Sequence, residues 1–217
     1  MTTDVERAMA DLQAVGLLEP GTPPADVGDL VITNARTLEG IEQCTALETL
    51  SLIGCSIGDY TRLAGLRSLR VLVVENSDLS GTGWAAGLGL RVAVLRRNRV
   101  RDALPVVGLP TLQVLDLSGN PLGQETRSAA RDGNRLVTLD DDETAELNVL
   151  LADAGTGIVS YRAGEELWAC ATGLDLVPHP QTGHVLTSRE ELLEVARGAV
   201  PPRRLLLRGP GDADGGR

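Results

Sequence analysis

The chain has 217 residues, 42% of them hydrophobic, with 11 prolines and a formal charge of −10, a composition that suits one large or two small globular domains and excludes a fibre or a disordered tail. The acidity argues against general nucleic-acid or anionic-membrane binding, so neither is expected as a partner. No apolar run approaches the ~18 residues that cross a bilayer, and the start Met1-Thr-Thr-Asp-Val-Glu-Arg is unlike a secretory leader, so a cytoplasmic protein is expected. The chain then opens on a helix: Thr3 and Glu6 form a capping box, and Val5, Met9, Leu12 and Val15 share an apolar face. Pro20 to Pro24 ends it in a loop, which gives an N-terminal helical cap over residues 1–24. Val27, Leu30 and Ile32 read as a first strand.

From there an internal period dominates. The pattern of Leu47, Leu50, Leu52, Cys55 and Ile57 returns as Leu69, Leu72, Val74, Ser77 and Leu79, as Leu90, Ala93, Leu95, Asn98 and Val100, and as Leu112, Leu115, Leu117, Asn120 and Leu122. The starts Leu47, Leu69, Leu90 and Leu112 are 22, 21 and 22 residues apart. Each copy supplies a strand with alternate residues inward, a compact turn and a second apolar segment. One copy cannot bury its own apolar face, so copies must stack and share a core. With no phenylalanine and only Tyr60, Trp84, Tyr161 and Trp168 as large aromatics, that core is leucine, valine and alanine. Cys55, Ser77, Asn98 and Asn120 fall inside the turns, where a small polar group can satisfy loop backbone. Leu136 and Leu139 follow Leu112 by about one further period, after a stretch from Pro121 to Arg131 that reads as helical.

This pattern resembles the leucine-rich repeat family, in particular the short 22-residue SDS22-like class, over about residues 27–140. The resemblance implies an α/β right-handed solenoid with a parallel concave sheet, here over residues 25–142, and a protein partner as its ligand. The absence of lysine and phenylalanine, both encoded by AT-rich codons, points to a high-GC bacterial genome.

Residues 143–208 follow no repeat and read as an α/β extension, with a tail over 209–217. Asp141 or Asp142 caps a helix through Leu151. Gly157–Tyr161, Leu174–Val177, His184–Thr187 and Leu205–Leu207 read as strands, and Ser188-Arg-Glu-Glu191 is a capping box opening a helix through Arg197. Pro201-Pro202 stops that helix.

Three cysteines at irregular spacing suggest neither a disulfide framework nor a CxxC pair. Cys44 and Cys55 have places in the repeat. Cys170 does not, and with His179, His184 and Asp175 it forms the one chemical set the extension offers. That set defines the alternative function, an enzyme whose repeats recognise substrate. Burial of Cys170 and a surface turn at the histidines are the simpler explanations. The run Asp140-Asp-Asp-Glu143 lacks the alternating ligand spacing of a calcium loop and fits a helix N-terminus. No metal or cofactor is expected.

Arg91, Arg96, Arg97, Arg99 and Arg101 crowd one repeat. Residues one period apart are ladder neighbours, which puts Glu75 beside Arg96 and Asp78 beside Arg99 and leaves Arg91 and Arg97 for an acidic partner. The strand positions facing away from the core include Ile53, Val71, Val73, Glu75, Val92, Val94, Val114 and Asp116. β-branched residues suit strands on propensity alone, yet a contiguous apolar patch generally marks a contact. Either a partner or the C-terminal segment covers it. The leading expectation is therefore a noncatalytic interaction module, of regulatory-adaptor or toxin-neutralising type, whose protein partner docks on the concave face.

Overall fold

The computed structural model describes residues 2–177 and 183–208. Helix α1 (Asp4–Ala14) starts with the expected reciprocal cap, Thr3 Oγ1 accepting from the Glu6 amide and Glu6 Oε2 from the Thr3 amide. Val5, Ala8 and Met9 are its buried face, packed on the first strand. Val15 falls at the helix end and is 69% exposed, so it does not belong to that face. Asp4 ties the helix down by accepting the backbone N–H groups of Arg36 and Thr37.

Six short strands follow: β1 (Asp29–Thr33), β2 (Thr49–Ile53), β3 (Val71–Glu75), β4 (Val92–Val94), β5 (Val114–Asp116) and β6 (Leu136–Thr138). They lie in chain order in one parallel sheet, an α/β solenoid of stacked repeats. Leu30, Leu50, Leu72, Ala93, Leu115 and Val137 stand opposite one another in the register, and all but half-buried Val137 are buried. Ile32, Leu52 and Val74 form a second inward row, continued by Leu95 and Leu117. A parallel ladder advancing one repeat per strand is what lets each copy complete its neighbour's core.

The last repeat departs from expectation. Leu115 pairs with Val137, so Leu136 pairs with Val114, faces away from the core and is 74% exposed. The position equivalent to Leu112 is Asn134, two residues earlier than the leucine reading placed it. Helices α2 (Leu104–Val107) and α3 (Gln124–Arg131) fill the opposite side of the last repeats, where earlier copies use 3-10 turns, and α3 replaces the convex leucines with Thr126, Arg127 and Ala130.

Inside the turns a polar ladder satisfies backbone. The Cys55 thiol donates to the Ile32 carbonyl, Asn98 Nδ2 to that of Val74 and Asn120 Nδ2 to that of Leu95. Ser77 Oγ accepts from the Cys55 amide. A second column lies just past the strands, where Asn34, Gly54, Asn76, Arg97 and Gly119 all have φ between 52° and 67°. The left-handed turn recurs because the first four of these amides reach the carbonyl at or just past the next repeat's strand: Asn34 to Ile53, Gly54 to Glu75, Asn76 to Arg96 and Arg97 to Ser118. Glycine is required at 119 on a second count, since a Cβ there would stand 3.1 Å from Arg97 Cα.

The C-terminal unit begins with α4 (Asp142–Asp153), capped by the Asp141 side chain. Strands β7 (Ile158–Ala163) and β8 (Glu166–Ala171) form an antiparallel hairpin over the two-residue loop Gly164–Glu165, and β9 (Val185–Leu186) pairs with β8. Helix α5 (Arg189–Ala196) carries the capping box of Ser188 and Glu191. Leu147, Leu151, Ile158, Ala169, Leu192, Val195 and Leu205 make a separate core.

Two expected strands are absent. Leu205 and Leu206 lie in helix α6 (Pro202–Leu206) and Leu207 caps it, because Pro202 at the first helical position presets the helical φ and its missing amide is one the helix would leave unpaired. Leu174–Val177 is irregular, since the Leu174 amide donates to Ser56 Oγ in the repeats instead of to a neighbouring strand.

Candidate functional site

The outward side of the parallel sheet is striped. One row across the strands reads Asp29, Thr49, Val71, Val92, Val114, Leu136; the next reads Val31, Ser51, Val73, Val94, Asp116, Thr138. The five outward valines of β3 to β5 are half-buried, while Val31, Ile53 and Leu136 are exposed. Ile53, Glu75 and Arg96 border the stripe at the strand ends. Val31 and Leu136 were missed by the sequence reading; a 22-residue step from Val114 finds Leu136. Asp116 turns towards its own loop, accepting from the amide and hydroxyl of Ser118.

The arginine-rich repeat does something other than wait for an acidic partner. Arg96 pairs with Glu75 at 2.9 Å, as expected. Arg97 pairs with the same carboxylate and is only 13% exposed, which corrects its assignment as a free cation. Its left-handed backbone carries the side chain back across the turn to Glu75, where a regular strand would have carried it away. Asp78 is occupied by the Ile57 and Gly58 amides and the Tyr60 hydroxyl, and Arg99 instead donates to Thr172 Oγ1 and carbonyl. Arg101 pairs with Asp153 at 2.6 Å. Of the five, Arg91 alone has no side-chain hydrogen bond or ion pair among the described residues, and it is exposed.

Three of these arginines thus hold the C-terminal unit. Arg97 lies 5.0 Å over the Tyr161 ring, a cation–π contact. Its Nε donates to Asn76 Oδ1 at 2.8 Å, which fixes the amide orientation, and Asn76 Nδ2 then donates to His184 Nε2 at 2.9 Å. Nε2 as acceptor leaves the ring proton on Nδ1, which faces the Tyr161 hydroxyl at 2.7 Å. Burial, then the Arg97 charge, pushes the His184 pKa down to about 4. The Gly173 amide donates to the Asn76 carbonyl, and a Cβ on Gly173 would meet Ser56 Oγ at 2.5 Å. These contacts land on the turns after the strands and leave the outward valines uncovered by them.

Cys170 and His184 do converge: Asn76 donates to His184 and pulls against the rise of the Cys170 pKa. Their electrostatics oppose a nucleophile. Burial pushes the fully enclosed Cys170 thiol up to about 12, while a cysteine nucleophile needs a stabilised thiolate and a basic imidazole. His179 lies outside the described residues, and Asp175 faces Arg36 at 3.6 Å. Cys44 and Cys55 are likewise buried and free, with thiols that burial raises.

The ladder of turn amides ends at Asp140. Gly119 N–H donates at 2.8 Å to the Asp140 carboxylate, since the backbone there departs into α4. Burial, and the neighbouring Asp141 charge, raise the Asp140 pKa to about 7 against the pull of that hydrogen bond.

Among the described residues no group of three or more His, Cys, Asp or Glu side chains is arranged to hold a metal, and no helix is long and apolar enough to cross a membrane. No family model and no curated protein matches the chain. Among solved structures it is similar to internalin C2 of Listeria monocytogenes at 25% identity and TM-score 0.45, covering 49% of this chain and 47% of that one. A second similar structure is internalin inlF of the same organism, at 17% identity and TM-score 0.30, covering 69% and 63%. The chain thus spans less than two thirds of either neighbour.

Proposed function

We propose that the protein is a noncatalytic interaction module whose partner docks on the outward face of the parallel sheet, in contact with Ile53, Val71, Val73, Val92, Val94 and Val114, with Leu136 added. The observation that carries this reading is the aliphatic stripe across β3 to β6, which the hydrogen bonds and ion pairs of the C-terminal unit leave free. Exposed Arg91 and half-exposed Arg96 supply charge at its margins. Strands stack at about 4.8 Å, close to the 5.4 Å pitch of an α-helix. An amphipathic helix of the partner, with acidic residues beside its apolar side, fits that spacing turn for strand and meets the two arginines. Placement in the short SDS22-like class, a high-GC bacterial origin, a cytoplasmic site and a regulatory or toxin-neutralising role belong to the same proposal. So does the division into a cap over 1–24, repeats over 25–142 and an extension over 143–208. The 20- to 22-residue strand spacing and the free cysteines support it.

The test is to isolate the partner on the intact chain and titrate the purified pair. Val73→Glu and Val94→Glu should weaken binding at least tenfold with the unfolding midpoint unchanged. Arg91→Glu should weaken it less and flatten its salt dependence, because an exposed rim charge adds screened attraction. Unchanged affinity in both valine variants rejects the face.

A further inference from the structure

The repeats and the C-terminal unit line a cleft between them, and none of the outward valines contributes to it. Its volume is about 460 Å³, within the range of small-ligand sites, and it lies at a boundary between structural units where such sites tend to form. Arg99, Arg101 and Pro121 come from the repeats; Ile158, Val159 and Leu176 come from the other wall.

Arg99 is the unusual member. Its Nε and Nη2 donate to Thr172 Oγ1 at 2.7 Å and to the Thr172 carbonyl at 2.5 Å, both neutral acceptors. Nη1 has no hydrogen-bond partner among the described residues, and no described carboxylate lies in ion-pair range of this guanidinium. Two other charged residues line the cleft: Arg101 pairs with Asp153, and the exposed Asp175 faces Arg36 at 3.6 Å. Arg99 is therefore held in place by Thr172 with no carboxylate of its own, half-buried beside apolar side chains. Such a group gains most from an anion that can reach it, and a guanidinium prefers a planar carboxylate.

We infer that this cleft binds a small organic acid, with its carboxylate on Arg99 and its hydrocarbon body against Ile158, Val159 and Leu176. Both walls are needed to hold it, so occupancy favours the docked arrangement of the two units.

Calorimetric titration of the full chain with phenylacetate, and with 2-phenylethanol as a neutral molecule of similar body, tests this. Phenylacetate should bind saturably and at least tenfold more tightly than the alcohol. Arg99→Gln keeps a donor for Thr172, removes the charge and should erase that preference. Should Arg99→Gln undock the units, Ala152→Phe fills the cleft from α4 and should abolish phenylacetate binding while Arg99 stays intact. The inference is overturned if neither compound binds, if both bind equally, or if Ala152→Phe leaves phenylacetate affinity unchanged.

Discussion

The strands of the repeats and the turns that follow them descend from the same period, yet they present opposite surfaces. On β3 to β5 the outward positions are aliphatic, with side chains that make no hydrogen bond, except at Glu75 and Asp116. On the turns past the strand ends, Asn76, Arg97, Arg99 and Arg101 form a polar seam against His184, Tyr161, Thr172 and Asp153. Repetition fixes where each column points and not what it carries. A solenoid can therefore reserve one column for its own core, one for its C-terminal unit and one for a partner.

Each column should answer differently to substitution. The largest effect belongs to the inward column: Leu72→Ala or Leu115→Ala removes a fully buried side chain and should cost about 2–5 kcal/mol in denaturant unfolding. An unchanged midpoint in both would mean that the inward and outward assignments are exchanged. Asn76→Gly comes next. Glycine keeps the left-handed turn while deleting the amide that joins Arg97 to His184, so a loss of about 1–3 kcal/mol and faster proteolysis of the Gly173–Val177 segment are expected. Full protection of that segment would show that the seam holds without Asn76.

A third effect, at most about 3–4 kcal/mol for each group and less after solvent screening, is visible only against pH. Asp140 has a raised pKa in the fold, about 7 against an ordinary 3.8, so its contribution is complete below the ordinary value and is lost as pH rises towards 7. His184 has a depressed pKa, about 4 against 6.5, so its contribution is complete above 6.5 and is lost as pH falls towards 4. The two slopes oppose between pH 5 and 6.5, and single variants should separate them. Asp140→Asn should leave stability falling with acidification, and His184→Gln should leave it falling with alkalinisation. Identical midpoint-versus-pH curves for both variants would contradict the two environments. The smallest effect is on the outward column, where Val73→Glu and Val94→Glu should shift stability by no more than about 0.5 kcal/mol, because the new carboxylates point away from the core.

The repeat core was readable because period and burial coincide: Leu50, Leu72 and Leu115 recur at fixed steps and all face inward. Leu136 escaped because the final copy has Asn134 at its start position, so counting leucines instead of strands displaced the register by two. Arg97 was misassigned because ladder reasoning compares like positions, and the positive φ moved its side chain onto Glu75, the neighbour of Arg96. The seam was the least legible part. Asn76 and His184 are 108 residues apart, and no local pattern announces such a pairing. The β7–β8 hairpin was half seen, since its two-residue loop Gly164–Glu165 is polar and short and β8 was read only for its cysteine.

Asp140 carries one more consequence. A parallel ladder cannot simply stop, because the last turn amide still needs an acceptor when the main chain turns elsewhere. Here the backbone leaves to begin α4 while the carboxylate stays behind on Gly119, an acceptor whether protonated or ionised. The number of copies is thus decided at one side chain. A solenoid one repeat shorter could be made by placing an aspartate at Ser118, the equivalent position one period earlier, and joining the α4 cap directly after it. A longer one requires Asp140 and α4 to travel together to the new last strand.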